Sequence, residues 1–232
     1  MTSRIRRDLR QCASPEKARI LSRFFKTGKG QYGEGDVFLG ITVPEQRRVA
    51  KRYPDLTLRE LLDLLSSRIH EHRLVSLLIL VAKYGKSDEA GRREIFDFYL
   101  SNTRRINNWD LVDLSAPNIP GEYLLDKDAS ILCRLAESEN IWERRIAIMA
   151  TLAFIRKGRF DDTFRIARML LSDDHDLIHK AVGWMLREVG KRDRKAEEAF
   201  LKKHYRRMPR TMLRYAIERF EENKRKSFLK AT

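Results

Sequence analysis

The sequence predicts an all-α fold, a curved α-solenoid of stacked helical pairs. Apolar residues recur at helical spacing almost throughout the 232 residues, and strand patterns are nearly absent. The six prolines stay outside the strongest periodic runs. Hydrophobic residues make up 42% of the chain, which is enough to bury a sizeable core. We therefore expect residues 1–232 to form one domain.

Capping patterns mark where the helices start. Ser14-Pro15-Glu16 puts a capping residue before a proline at the first helical position, and Thr57-Leu-Arg-Glu60 is a capping box. The Gly-rich stretch 28–35 has no preceding strand and no Lys-Ser/Thr ending, which favours an ordered connection over a phosphate-binding loop. The predicted helices span residues 3–12, 15–26, 44–53, 57–67, 70–84, 88–101, 108–115, 129–138, 141–156, 160–171, 176–190, 193–205 and 211–225.

An internal repeat predicts the solenoid. Apolar segments begin at Arg73, Arg145 and Lys180, and a further copy is expected at Asn108, so the intervals are 35, 37 and 35 residues. A unit of this length holds two helices and cannot bury its apolar face alone, so the copies must stack. Because solenoids mostly bind other molecules, this fold by itself favours no enzyme.

Positive charge is concentrated at the two ends of the chain. The net charge is +15, of which residues 1–50 carry +6 and residues 191–232 carry +9, while the segment between them is neutral. This distribution favours a polyanion, with nucleic acid as the default partner. The alternative is that the termini are loose solvated arms. It is disfavoured because the C-terminal charges lie inside helical patterns.

Other functional classes find little support in the sequence. No apolar run approaches the roughly 20 residues that span a bilayer, so we expect a cytoplasmic protein without membrane contact, associated with the nucleoid if the source is prokaryotic. Cys12 and Cys133 cannot form a zinc pair or a disulfide framework. His175 and His179 lie four apart among aspartates but lack a defined third ligand, which favours a solvated helix start over a metal site. We expect no metal or cofactor.

Two helices carry a residue that breaks their apolar pattern. Trp184 projects away from the apolar stripe of helix 176–190, towards Lys180, Arg187, Glu188 and Lys191. An aromatic ring in a helix is more often core, but here the stripe is complete without it, and a ring among cations can pack on a sugar or base. Gly183 beside it would let another chain approach closely.

Helix 141–156 is irregular in the opposite sense. Arg145 projects onto its apolar stripe, so we expect an internal carboxylate or a bound phosphate as its partner, or else a snorkelling side chain at the edge of the stripe. In the third unusual segment, Asn108 is a candidate N-cap, and Trp109 and Asp113 then share one face of a short helix. Taken alone, this Trp-x-x-x-Asp spacing is more often structural.

The three segments together resemble a known family. Trp109-Asp-Leu-Val-Asp113, Trp142-Glu-Arg-Arg145 and Lys180-Ala-Val-Gly-Trp184 resemble the AlkD-like DNA glycosylases, and Phe38-Leu-Gly-Ile41 with Pro44 and Arg47 is similar to that family's opening region. The resemblance covers nearly the whole chain. It implies stacked HEAT-like helical pairs whose concave basic face holds duplex DNA, and excision of N3- or N7-alkylated purines in base excision repair.

The resemblance also implies a set of site residues. Asp113 would be the catalytic carboxylate, Trp109 and Trp184 would flank the sugar of the damaged nucleotide, and an arginine would lie beside them. Helical projection prefers Arg145 to Arg144 for that arginine. Lys180, Arg187, Lys191 and Arg47 are the expected DNA-binding cations. The family acts without enclosing the base, which suits a solenoid that has no obvious deep pocket.

The chemistry fits a sparse site. An alkylated N3 or N7 makes the purine cationic, so the base departs neutral and needs no general acid, unlike ordinary glycosides with their two carboxylates. No lysine stands in a recognisable Schiff-base position, which predicts a monofunctional enzyme that leaves an abasic site. We expect a monomer acting on double-stranded DNA with alkylated bases. The alternatives are a non-catalytic HEAT-repeat protein that binds distorted or branched DNA, and a protein-interaction scaffold, which would have a neutral or patchily apolar groove.

Overall fold

The chain is helical over most of its described length. A computed structural model describes residues 1–230 and has fourteen α-helices in that range, so the all-α class is confirmed. Within the same range the only β-type pairing is one bridge between Val37 and Ile69. The helices are α1 (Thr2–Gln11), α2 (Pro15–Phe24), α3 (Val43–Ala50), α4 (Leu58–Leu65), α5 (His70–Lys86), α6 (Glu89–Ser101), α7 (Trp109–Ser115), α8 (Ser130–Ala136), α9 (Ile141–Arg156), α10 (Asp161–Met169), α11 (Asp176–Arg192), α12 (Arg194–His204), α13 (Arg210–Ala216) and α14 (Glu222–Lys230). Ala231 and Thr232, which end the predicted domain, lie outside the described residues.

The chain groups into two compact units, Met1–Ser115 and Ala116–Thr232. In the first unit α5 is central, because α1, α3, α4, α6 and α7 all pack against it. Its burial extends to polar residues: Glu71 is 0% and Arg73 3% exposed. In the second unit α9 packs on α8, α10 and α11, and α11 packs on α12 and α13. Helical pairs therefore stack within the second unit as the repeat predicts.

The spacing between the repeated helices is uneven around α7. Helices α5, α7, α9 and α11 begin at residues 70, 109, 141 and 176, so their starts are 39, 32 and 35 residues apart. A 3₁₀ turn, Thr103–Arg105, and a short loop separate α6 from α7 and delay the start of α7. The even spacing expected around Asn108 was therefore wrong by about one helical turn.

A recurring side-chain contact gives the register of the other copies. Arg73 Nη1 donates to the Ser67 carbonyl and Arg144 Nη1 to the Ser138 carbonyl, each at 2.9 Å, and His179 Nε2 contacts the Asp173 carbonyl. In each case the fourth residue of a helix reaches back six residues into the preceding loop. Arg73, Arg144 and His179 therefore occupy equivalent positions in the three copies. The sequence alignment, which used Arg145 and Lys180, was displaced by one residue in the last two copies.

The last predicted helix, 211–225, was wrong. Residues 217–219 form a 3₁₀ turn, and Phe220 is extended at φ −79° and ψ 154°, so the segment is divided between α13 and α14. Phe220 is 7% exposed and meets the Phe228 ring edge-on at 5.8 Å. Burial of this ring takes precedence over helical continuity, and no proline or glycine in the segment signals the break.

Candidate functional site

Trp109 and Asp113 lie one turn apart on α7, in the first unit. Asn108 precedes the helix, and its Oδ1 accepts a hydrogen bond of 2.8 Å from the Trp109 N–H, in keeping with its predicted role at the helix start. Positions i and i+4 share a helix face, so the indole and the carboxylate are presented together. Both residues are half-buried. The site therefore offers an aromatic surface beside an acidic group.

A buried phenol lies in the electrostatic environment of Asp113. Tyr99 is 0% exposed, and its hydroxyl lies 2.9 Å from Ser115 Oγ. Burial, reinforced by the negative charge of Asp113, raises the pKa of Tyr99. The phenol stays protonated at neutral pH, so it adds no negative charge beside Asp113.

Trp109 rests on a stack of aromatic rings. Its ring lies 5.2 Å from that of Phe25 with an interplanar angle of 15°, while Phe24 meets it edge-on at 6.0 Å. Phe25 in turn stacks on Phe38 at 5.0 Å, and Phe38 stacks on His70 at 4.6 Å. One face of the indole is therefore held by the first unit itself.

An apolar cavity of about 470 Å³ lies beside this stack. The sequence did not predict it, since the resemblance suggested no obvious deep pocket. Its lining includes Phe25, Phe38 and Trp109, and also Ile20 and Phe24, which are 60% and 62% exposed. The cause is local: α2 has no fully buried residue, so it borders a cavity and does not fill a core.

The segment Phe38–Ile41 encloses the first turn of α5. The Glu71 carboxylate accepts hydrogen bonds from the N–H groups of Leu39, Gly40 and Ile41 at 2.8 to 3.3 Å. Gly40 has a φ of +83°, a backbone conformation that favours glycine, and a Cβ there would also collide with the Ser14 carbonyl oxygen. Both the backbone conformation and the lack of space therefore require glycine. This part of the sequence motif therefore lines the same cavity as Trp109.

A buried polar network joins α5 to α7. His70, which is 1% exposed, has Nε2 2.8 Å from Asp110 Oδ2 and Nδ1 3.4 Å from Asp36 Oδ2. Arg73 Nη2 lies 2.7 Å from Asp36 Oδ1, and Asn108 Nδ2 donates to Asp36 Oδ2 at 3.3 Å. Sequence patterns could not find this network, because its members are as far apart as residues 36 and 110 and have no motif spacing.

The two candidate arginines of α9 have different environments. Arg144 pairs with Asp173 at 2.6 Å and also donates to the carbonyls of Ser138 and Glu139, so it belongs to the repeating loop contact. Arg145 is 4% exposed, as expected for a residue on the apolar stripe, and its Nη1 donates to the Leu177 carbonyl at 2.5 Å. Arg145 therefore links α9 to the first turn of α11.

Trp184 lies off the core side of α11, as helical projection predicted. It is half-buried, and its Nε1 donates to Glu188 Oε1 at 2.9 Å. The apolar stripe beneath it is fully buried at Ile178, Val182, Met185, Leu186 and Val189.

The expectation for Gly183 was wrong. A Cβ at this position would lie 2.4 Å from the Met212 carbonyl oxygen and 2.5 Å from Tyr215 Cβ. The close neighbour of this glycine is therefore α13 of the same chain, and Gly183 serves the packing of two helices.

The predicted DNA-binding cations differ in how they are held. On α11, Lys180 pairs with Asp176 at 2.7 Å, Lys191 with Glu188 at 2.6 Å, and Arg187 with Glu218. Arg47 is exposed, and within residues 1–230 no ion pair involves it. It borders a groove of about 320 Å³ with Lys51 and Lys86. Phosphate binding at α11 would have to compete with carboxylates, whereas the groove beside Arg47 presents exposed cations.

The predicted site residues thus fall into two groups. Trp109, Asp113 and Arg47 belong to the first unit, and the first two share α7. The second unit carries Trp184 and its neighbouring cations on α11, together with Arg145, which contacts the start of that helix. Within the described residues no group of three or more His, Cys, Asp or Glu side chains is arranged to hold a metal ion, and none of the helices there could cross a membrane.

Comparison with known proteins identifies the family. A sequence profile of the DNA alkylation repair enzymes matches residues 5–220. The chain belongs to that family. A solved structure described as a predicted DNA alkylation repair enzyme from Enterococcus faecalis has the same fold, with a TM-score of 0.71 and 19% identity over 90% of this chain and 97% of that one. None of the curated proteins compared with the chain matches it. Membership of the DNA alkylation repair enzymes confirms the resemblance read from the three motifs and implies DNA as a partner.

Proposed function

We propose that this DNA alkylation repair enzyme is a monofunctional glycosylase that hydrolyses the N-glycosidic bond of N3- and N7-alkylated purines in duplex DNA. The observation that carries the proposal is the presentation of Trp109 and Asp113 together on α7, at the surface of the first unit. Membership of the family supplies the substrate class of alkylated DNA.

The leaving group explains why one carboxylate suffices. Alkylation at N3 or N7 gives the purine a positive charge, so cleavage of the C1′–N bond releases a neutral base and leaves the positive charge on the sugar. A fixed negative charge stabilises such a developing cation most strongly in a partly desolvated site. Asp113 has this role, and it orients the water whose oxygen bonds to C1′ while its proton passes to solvent.

Aromatic rings assist the same step. Their electron-rich faces attract an electron-poor sugar in the manner of a cation–π contact, with about 0.5 to 2 kcal/mol from each ring. Trp109 is held for this role by its stack on Phe25. Trp184 supplies a second ring from α11, the helix whose first turn Arg145 contacts. Arg47, Lys180, Arg187 and Lys191 hold backbone phosphates.

The test is a panel of duplexes that carry one defined lesion each. Cationic 7-methylguanine and 3-methyladenine should appear as free bases, and the DNA should keep an intact strand with an abasic site. Neutral uracil and 8-oxoguanine should remain, because a neutral base is a poor leaving group that the ionised Asp113 carboxylate cannot protonate. Efficient uracil release would contradict the single-carboxylate mechanism. DNA binding without release of any base would favour the non-catalytic alternative.

A further inference from the structure

A cluster of largely buried ionisable side chains joins α5 to α7. Four ionisable groups meet there: Asp36 from the loop after α2, His70 and Arg73 from α5, and Asp110 from α7. The exposed fractions of the side chains are 2% for His70, 4% for Asp36, 4% for Arg73 and 16% for Asp110. Charged groups are seldom buried unless they are paired, and removal of one partner leaves the other charge uncompensated.

The network connects directly to the candidate catalytic helix. Asp110 follows Trp109 in the first turn of α7, and its Oδ1 accepts the Leu111 N–H at 2.9 Å while its Oδ2 faces His70. Asn108, which caps Trp109, also donates to Asp36. Polar contacts from Asn108 and Asp110, on either side of Trp109, therefore join the start of α7 to the same buried cluster.

The faces of the His70 ring make a second connection. The imidazole stacks on Phe38 at 4.6 Å and lies 5.0 Å from Phe25, which itself stacks on Trp109 at 5.2 Å. The Nε2 edge of the ring thus faces Asp110, and the ring also packs against both phenylalanines, of which Phe25 supports the indole. A positively charged imidazole gains from both kinds of contact, since carboxylates meet its N–H groups and aromatic faces meet its plane.

The surroundings favour the charged form of the ring. Burial opposes the imidazolium, but the Asp110 charge and the hydrogen bonds to Asp110 and Asp36 outweigh burial, and the pKa of His70 is raised above its ordinary value. The guanidinium of Arg73, 3.5 Å from Nδ1, acts in the opposite sense. Glu71, the remaining acid of this turn, is turned to backbone N–H groups, and Lys17 of α2 lines the adjoining cavity.

We propose that His70, as an imidazolium, is a positioning residue that fixes Trp109 and Asp113 for excision. Loss of its proton leaves one N–H donor for two carboxylates, Asp36 and Asp110, and removes the positive charge that attracts both, so the attachment of the first turn of α7 to α5 is weakened. The proposal rests on the proposed function for its kinetic consequence only. The link between His70 and Trp109 can be measured without any substrate.

The substrate-free test follows the three tryptophans by fluorine NMR of protein labelled with 5-fluorotryptophan. The Trp109 signal is assigned by its absence in Trp109→Phe, and the His70 titration is read from its ring signals, assigned with His70→Gln. The Trp109 signal should move with the same pH midpoint as His70, and this movement should vanish in His70→Gln. The signals of Trp142 and Trp184 should not share that midpoint. A Trp109 signal that is constant through the His70 titration, or a His70 that is neutral at pH 7, would overturn the proposal.

The kinetic test compares two neighbouring histidines. His70→Gln should slow single-turnover release of 7-methylguanine about tenfold, equivalent to about 1.4 kcal/mol, with DNA affinity changed less than about twofold. The wild-type rate should fall on the alkaline side, and the variant should lack this decline. His72→Gln is the matched control: His72 is 2% exposed on the same helix, but burial and nearby arginines lower its pKa to about 4, so it is neutral.

The two failures are distinguishable. If His70→Gln and His72→Gln keep the same rate and the same alkaline decline as the wild type, His70 has no positioning role. If the wild type releases no base from any alkylated duplex, the proposed function fails, while the fluorine titration still decides whether His70 controls the setting of Trp109.

Discussion

The packing of α13 on α11 makes a quantitative prediction at Gly183. Gly183→Ala would place a Cβ 2.4 Å from the Met212 carbonyl oxygen and 2.5 Å from Tyr215 Cβ, whereas non-bonded carbon atoms ordinarily approach to about 3.5 to 4.0 Å. Because one of the obstructing atoms is backbone, α13 must retreat by about 1 Å. Overpacking of this kind costs about 1 to 3 kcal/mol.

Gly85→Ala is the matched control. Gly85 lies within α5, and a Cβ there would meet nothing within 4 Å. Both substitutions gain helix propensity, up to about 1 kcal/mol each, so the difference between the two variants isolates the steric cost. For a chain of this size each kcal/mol shifts the melting temperature by about 2 to 4 °C. Thermal unfolding followed by circular dichroism should therefore show Gly183→Ala melting about 2 to 12 °C below Gly85→Ala. Equal melting temperatures would show that the contact between α11 and α13 is not as close as described.

Three further predictions concern charge and aromatic contacts. Burial raises the pKa of Glu197 to about 8, although the Arg194 guanidinium 3.4 Å away opposes this shift. Because the pKa in the folded state lies above that in the unfolded chain, the protonated carboxyl contributes its full stabilisation below about pH 4.5. This stabilisation is lost as pH rises through 8. The free energy of unfolding in urea should fall by about 4 kcal/mol across that window for the wild type and change little for Glu197→Gln. A parallel decline in both proteins would refute the raised pKa of Glu197. Affinity for undamaged duplex DNA, measured by fluorescence anisotropy, should fall with a log–log salt slope of about −4 to −5 if roughly five phosphates are neutralised, and a salt-insensitive complex would exclude phosphate contacts. Trp184→Ala should slow excision about tenfold with little change in melting temperature, because the ring is half-buried and outside the apolar stripe; a large stability loss with unchanged excision would make it a core residue.

The sequence predicted those features of the fold that depend on local pattern. Helical periodicity and capping residues located the helices up to residue 205, because most of these helices bury an apolar stripe. Periodicity did not predict the break at Phe220, because its extended backbone depends on burial of the ring against Phe228. The helix α7 itself was predicted at 108–115, but its register within the repeat was not, because the 3₁₀ turn before it carries no strong sequence signal.

The same division applies to the candidate site. Projection placed Trp184 off the core and Arg145 on it from the sequence alone. The role of Gly183 and the cavity beside Trp109 depend on which helix packs opposite, which periodicity does not specify. The contacts of His70 with Asp36 and Asp110 join residues 34 and 40 positions away, and only the folded chain brings them together.

The most direct test of the account is single-turnover release of 7-methylguanine by Asp113→Asn. The amide keeps the shape of the side chain but not its negative charge, so we expect the rate to fall by about 10² to 10³ while DNA binding is retained. Asp97→Asn, an exposed site on α6, is the control for the change in net charge and should keep the wild-type rate. Wild-type rates in Asp113→Asn, with the variant folded and bound to DNA, would contradict the assignment of Asp113 as the catalytic carboxylate.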